Sequence, residues 1–310
     1  MDARSLKQQL AQRARETGFS AFGVARSAPV DESWQRSYRQ WLDSGCGAEM
    51  HYLSNHPQLR SHPAELLPGA QSVISLALNY FHTEQQQADA IIAMYAHGDD
   101  YHEVARLMMR PLIEILESHG FEARACVDTA PVRERYWALC SGIAFAGRNG
   151  LAIVPDVGSF CFLSEIITTA PLPPDAPLTK TCQGCGKCVE ACPGHAIMAD
   201  GKIDARRCHS YLSIEHRGEL PPGTTLRTLY GCDICQRVCP HNQQATETTV
   251  SALKLRDTLR DLTLRQVAAL TPQTFATLFR HSAVKRAKLT GLQRNLKYLP
   301  FPLVPLAPLD

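Results

Sequence analysis

The stretch Cys182-Gln-Gly-Cys185-Gly-Lys-Cys188-Val-Glu-Ala-Cys192-Pro193 sets four thiols on one short loop and closes on a Cys-Pro pair. A thiolate every third residue fits three corners of an iron–sulfur cube, and Cys-x₂-Cys-x₂-Cys-x₃-Cys-Pro is the bacterial ferredoxin run. A second, incomplete run follows at Cys232-Asp-Ile-Cys235-Gln-Arg-Val-Cys239-Pro240, with Cys208 upstream. In two-cluster ferredoxins the fourth cysteine of a run ligates the other cube. That rule groups Cys182, Cys185, Cys188 and Cys239 around one [4Fe–4S] cluster, and Cys192, Cys208, Cys232 and Cys235 around a second. A Cys₄ zinc site is the competing reading of Cys-x₂-Cys pairs, but three cysteines in Cys-x₂-Cys-x₂-Cys suit a cube better than a tetrahedron. The chain therefore reads as one that moves electrons.

The rest of the composition agrees. Of twelve cysteines, only Cys46, Cys126, Cys140 and Cys161 lie outside the two ligand sets, singly among small or apolar neighbours, and they read as buried small hydrophobes. The N-terminus Met1-Asp-Ala-Arg-Ser-Leu has no apolar signal-peptide core, and no run of about 18 apolar residues could span a membrane. Reduced thiolates in this number point to the cytoplasm and argue against a disulfide framework. With 310 residues, 45% of them hydrophobic, there is chain for a large domain, a small one and a tail.

Residues 1–175 read as a mixed α/β domain. Leu6, Leu10 and Ala14 give Ser5–Thr17 helical spacing that Gly18 stops. Buried strands are expected at Phe19–Val24 and Ser72–Leu78. Tyr101–His119 is amphipathic, with Val104, Leu107, Met108, Leu112, Ile115 and Leu116 assigned to one side, and Phe121–Val127 follows as a strand. Leu151–Val154 and Phe160–Thr168 read as strands around a Gly158-Ser159 turn. A proline-rich hinge at 171–177 marks a boundary, the ferredoxin-like two-cluster module occupies 176–245, and a short helical tail fills 246–310. Between Lys254 and Lys297 the tail carries ten Lys or Arg and two acids, although the whole chain is only +2. Lys285, Arg286, Lys288 and Arg294 form its densest part and are expected to neutralise RNA phosphates.

No G-x-G-x-x-G dinucleotide motif occurs after Gly45-Cys46-Gly47, and Asp100-Tyr101-His102 fails the cobalt-ligating D-x-H-x-x-G at Ala105. The electron acceptor is thus not named by spacing. Resemblance names one. Glu65-Leu-Leu-Pro-Gly69, Tyr95-Ala-His-Gly-Asp-Asp-Tyr-His102, Val127-Asp-Thr-Ala-Pro-Val132, Gly158-Ser-Phe-Cys-Phe-Leu-Ser-Glu165, Arg207-Cys-His-Ser-Tyr-Leu-Ser-Ile-Glu215 and Tyr230-Gly-Cys-Asp-Ile-Cys-Gln-Arg-Val-Cys-Pro240 together resemble the epoxyqueuosine reductases. The chain departs from that pattern at Ala144-Phe-Ala-Gly-Arg-Asn149, and its tail is a reduced version of the helical repeats in longer relatives.

The resemblance implies an N-terminal cobalamin-binding catalytic domain and reduction of epoxyqueuosine at the tRNA wobble position. It also implies an external flavodoxin- or ferredoxin-type electron donor and a monomer. Removing an epoxide oxygen as water takes two electrons and two protons. Asp128 is the implied proton donor, a role that needs its pKa raised by desolvation; capping a helix at Val132–Leu139 is the alternative reading. Arg60, His97, Tyr101, Arg148, Asn149, Ser159, Phe160, Glu165 and Ser210 are the implied cobalamin contacts, with the Cys192 cluster nearest the corrin. His102 reads equally as a satisfied helix residue or a ligand. The rival readings are a reductive dehalogenase-like corrinoid enzyme and a non-catalytic carrier or corrinoid reductase.

Overall fold

The computed structural model describes residues 2–300. Helix α1 (Ala3–Thr17) starts where the Asp2 carboxylate accepts hydrogen bonds from the Arg4 and Ser5 amides, and it ends at Gly18, whose φ of 100° is left-handed. Its Leu6 and Leu10 are buried, each worth roughly 1.5–3 kcal/mol. Strand β1 (Ala21–Arg26), helix α2 (Glu32–Asp43), strand β2 (Ser72–Asn79), helix α3 (Tyr101–Ser118) and strand β3 (Ala123–Cys126) follow. Helix α4 (Glu134–Cys140), the two-residue strands β4 (Phe145–Ala146) and β5 (Ala152–Ile153), and strand β6 (Cys161–Thr168) complete this part.

The main sheet runs β1-β2-β6-β3, every pair antiparallel. All eight residues of β2 are buried because helices cover both faces. Ile74, Leu76 and Leu78 point into the core shared with α1 and α3. Val73 joins the cluster around Tyr136 and Trp137 of α4, and Ala77 joins Ala138 and Ile143. Gly23 makes the close packing on that side possible: a Cβ there would stand 2.2 Å from the Ser141 carbonyl oxygen. The mixed α/β layering expected from sequence is present, in an antiparallel form.

Four expectations are corrected. β5 pairs with β4 rather than forming a hairpin with β6, because Val154 and Gly158 make only an isolated bridge before the chain enters the main sheet. Leu107 is 68% exposed; the buried stripe of α3 is Val104, Ala105, Met109, Leu112 and Leu116, a helical period that leaves 107 outside. The proline-rich 171–177 stretch is no loose hinge, since Asp175 exchanges hydrogen bonds with the backbone of Val24 and pairs with Lys7 at 2.6 Å. Nor is the tail a separate layer. Leu255, Leu259, Val267, Phe279 and Val284 share one core with Ala90, Ile92, Leu229 and Tyr230, so the N-terminal domain, cluster module and tail interleave.

Candidate active site and iron–sulfur centres

The loops at 182–192 and 232–239 fold against each other through the short helices Lys187–Glu190 and Ile234–Arg237. Cys182, Cys185, Cys188 and Cys239 ring one hollow, closed by Asn149, Ile153 and Pro240. Cys235 lies among Cys232, Cys208 and Cys192, and burial together with these neighbouring thiols pushes its pKa well up. The two groups are the quartets given by the crossover rule. Four thiols in each group are a donor set that fits two cubes. The amide of Ala196 points at Cys192 Sγ, 3.2 Å away, and the amides of Ser210 and Tyr211 face the Cys208 sulfur; such bonds stabilise thiolate ligands. Ser159 ties the module to the sheet, its amide donating to Asn242 Oδ1 and its hydroxyl accepting from Asn242 Nδ2.

A second feature lies where the β3–α4 turn meets the start of α3. Asp128 has φ +45°, left-handed and costly for a residue with a side chain. Three bonds hold it. Its amide donates to Glu134 Oε1, and its Oδ2 accepts from Tyr101 Oη at 2.9 Å and His102 Nε2 at 3.0 Å. His102 Nδ1 in turn meets Asp100 Oδ1 at 2.6 Å, so an imidazole is clamped between two carboxylates. Burial works to lower the His102 pKa, but the bonds to Asp100 and Asp128 outweigh it and raise it to about 9. Burial works to raise that of Asp128, yet hydrogen bonds from His102 and Tyr101 and the charges of His102 and Arg286 hold it below the ordinary value. Asp128 is thus not the lifted acid expected from sequence. The pair carries its proton on His102. Nor does Asp128 cap α4, which has Arg133 at its N-cap and no side-chain cap bond.

Along α4, which follows this turn, opens a cavity of about 870 Å³, walled by Trp34, Tyr38 and Trp41 of α2 and by Arg135, Arg148 and Cys182. It sits at the upper end of small-molecule pockets, roughly 300–1,000 Å³. Arg60 donates to the carbonyls of Tyr52 and Asn55, which bracket the lining residue Leu53. Asn149 is buried, and its Nδ2 is 3.4 Å from the Cys235 carbonyl oxygen. Arg148 is exposed and Ser210 half-buried.

Other expected contacts point elsewhere. Phe160 and Glu165 are fully buried in and under the sheet, and His97 is enclosed against His82 (3.1 Å) and the Ile92 carbonyl. None has surface to offer a cofactor. Arg294 is buried, with its guanidinium spent on the carbonyls of His216, Gly218 and Leu212 and on Asn295, so it is structural rather than phosphate-binding. Arg286 is exposed but paired bidentately with Glu215 at 2.7 Å, whereas Lys285 and Lys288 are exposed and enter no ion pair among the described residues. Sequence reasoning missed α2 and its aromatic wall; Trp34, Tyr38 and Trp41 at i, i+4, i+7 were the available signal.

Residues 60–129 match the family model described as epoxyqueuosine reductase QueG, DUF1730, and residues 181–242 match the 4Fe-4S double cluster binding domain. Proteins named epoxyqueuosine reductase are similar along most of the chain. That of Cellulophaga algicola is 36% identical over 91% of this chain and 94% of its own, and that of Vibrio cholerae is 37% identical over 96% and 83%. A crystal structure of selenomethionine-labelled epoxyqueuosine reductase superposes with a TM-score of 0.87 at 28% identity, covering 94% of this chain and 80% of that one. Another, with a TM-score of 0.86 and the same coverage, holds an epoxyqueuosine-modified tRNA-Tyr stem loop. A third, from Bacillus subtilis, has its catalytic aspartate loop swung out of the active site (TM-score 0.85, 27% identity, 94% and 80% covered). Identity above one-third across more than nine-tenths of the sequence, on a shared fold, leaves one conclusion: the chain belongs to the epoxyqueuosine reductase family.

Proposed function

We propose that this chain reduces the epoxide of epoxyqueuosine in tRNA to the alkene of queuosine, with Asp128 and His102 as its proton-handling pair. The observation that carries the reading is that pair's geometry, hydrogen-bonded and strained, at the turn leading into α4, whose Arg135 and Leu139 line a large cavity walled also by Cys182 of the first quartet. The reaction breaks the carbon–oxygen bonds of the epoxide, consumes two electrons and two protons, and releases water. The cysteine quartets would hold two cubes, which would supply single-electron transfer. The aromatic wall of α2 and the Arg148 guanidinium suit a large flat cofactor with an anionic tail, and cobalamin fits that description. The chemistry such a cofactor supplies is a strongly reducing metal centre able to open a strained ring.

The protein's own part is protonation. At neutral pH His102 is an imidazolium donating to Asp128 Oδ2, and Asp128 Oδ1 has no partner among the described residues. A leaving oxygen that meets Oδ2 would draw the His102 proton across that atom, while the Tyr101 phenol stays protonated because burial raises its pKa far above the usual range. The His102 pKa is raised from 6.5 to about 9. Its ion pairs therefore contribute stability fully below pH 6.5 and lose it as pH rises through about 9. Turnover is expected to fall over the same alkaline limb, and a pH–rate profile of H102Q lacking that limb is the check.

Glu134 holds the Asp128 amide. E134A is expected to lower turnover roughly 10²-fold, the scale on which small misplacements act, with tRNA affinity unchanged. E134Q keeps the acceptor oxygen and restores most of the rate. Equal rates in E134A and the wild type would remove Glu134 from the mechanism. The electron source is a low-potential flavodoxin- or ferredoxin-type protein, the enzyme works as a monomer in the cytoplasm, and Lys285 and Lys288 face tRNA phosphate. Among the described residues no helix is long and apolar enough to cross a membrane.

A further inference from the structure

Of the eight cluster cysteines, Cys185 alone is exposed; the quartet containing Cys208, Cys232 and Cys235 has no exposed member. The loop carrying Cys185 is bare. Gly184 and Gly186 have φ of +68° and +81°, and a Cβ built at Gly184 would meet no atom within 4 Å, so nothing packs over the chain there. The loop is flanked by Lys180 and Lys187, both exposed, with no acid between them. Neither lysine is in an ion pair among the described residues. Exposed Arg148 lines the hollow behind, and Glu190, the first acid beyond Lys187, reaches the loop with Oε1 3.6 Å from where a Cβ at Gly186 would stand, one acid against three cations.

Electron transfer weakens steeply with separation, so a protein donor must bring its own centre against the cluster nearest solvent. That is the cube ringed by Cys182, Cys185, Cys188 and Cys239. Cationic side chains around an uncovered loop steer an anionic partner and set its orientation. We infer that the lysine-flanked Cys185 loop is the docking surface for an acidic one-electron carrier protein, and that electrons enter the molecule there. Each encounter would oxidise the carrier by one electron, which a cube held by Cys182, Cys185, Cys188 and Cys239 would accept. The inference rests on the reading of two clusters and deepens the donor assignment above.

The experiment uses the cluster-loaded full chain, reduced flavodoxin as the probe, and K180E/K187E as the variant. Bleaching of the cluster absorbance is followed without tRNA, and the dissociation constant of oxidised flavodoxin is measured by calorimetry. The expected result is a loss of about tenfold or more in both at low salt, a weaker salt dependence than in the wild type, and unchanged cluster reduction by dithionite. Flavodoxin affinity and bleaching rate equal to wild type would overturn the inference. Equal losses with both reductants would overturn it too, because they would assign the lysines to the cluster itself. Since charge reversal beside ligands can disturb loading, K180Q/K187Q is run with iron counted per chain; wild-type flavodoxin affinity in that fully loaded variant also overturns it. Conversion of epoxyqueuosine with dithionite is scored separately, so failure of the catalytic reading shows without touching the docking result.

Discussion

Asp128→Asn lowers epoxide reduction by about 10²–10⁴-fold, the usual contribution of a positioned proton-transfer group, while iron content and tRNA affinity stay at wild-type values. The reason is specific to the geometry. Asp128 Oδ2 receives the His102 and Tyr101 protons, and an amide oxygen at that place keeps both bonds. What an amide cannot do is take up the His102 proton and pass it to a leaving oxygen. The His102 pKa falls as well, because two carboxylates hold it up and one is gone. The measurement is single-turnover conversion of an epoxyqueuosine-bearing stem loop, with tRNA binding in parallel. Turnover near the wild-type rate would remove Asp128 from the chemistry, and a parallel loss of tRNA binding would make its role one of recognition.

Cys208→Ala removes turnover altogether. Cys208 stands apart from both runs and closes the second quartet from the N-cap of the helix His209–Ile214, where the Ser210 and Tyr211 amides face its sulfur. Without it that cube lacks a ligand, and iron is expected to fall from about eight to about four per chain. Cys46→Ala is the control. That thiol is buried beside Ser44 and Arg206 and belongs to neither quartet, so its loss leaves iron unchanged. Retention of about eight irons in the Cys208 variant would show that the quartet has been drawn wrongly.

How far the sequence could be read follows physical lines. Helices α1 and α3 and strands β2 and β6 were legible because their apolar periodicity answers to one core. The quartets were legible because cube geometry constrains spacing along the chain itself. Helix α2 was not, since none of its residues is buried and its aromatic stripe faces a cavity instead of a core. His102 was visible in a motif that fails for cobalt. Its clamp could not be seen, because Asp128 lies 26 residues on and only the fold joins them. Arg294 shows the converse error. Positive charge in a basic stretch looks like an RNA contact, yet burial and four oxygen partners make it a strut for the 212–218 turn, and a sequence carries no mark of which cation has been taken inside.

The interlaced quartets also bear on how the protein is made. Cys239, the last ligand to leave the ribosome, completes the cube begun at Cys182, while Cys192 of the first run waits for Cys232 and Cys235. Neither centre can be finished until translation has passed Cys235, so metallation must find both loops already made and clasped. A chain cut short before Cys235 would therefore hold neither cube, however rich the cell in iron.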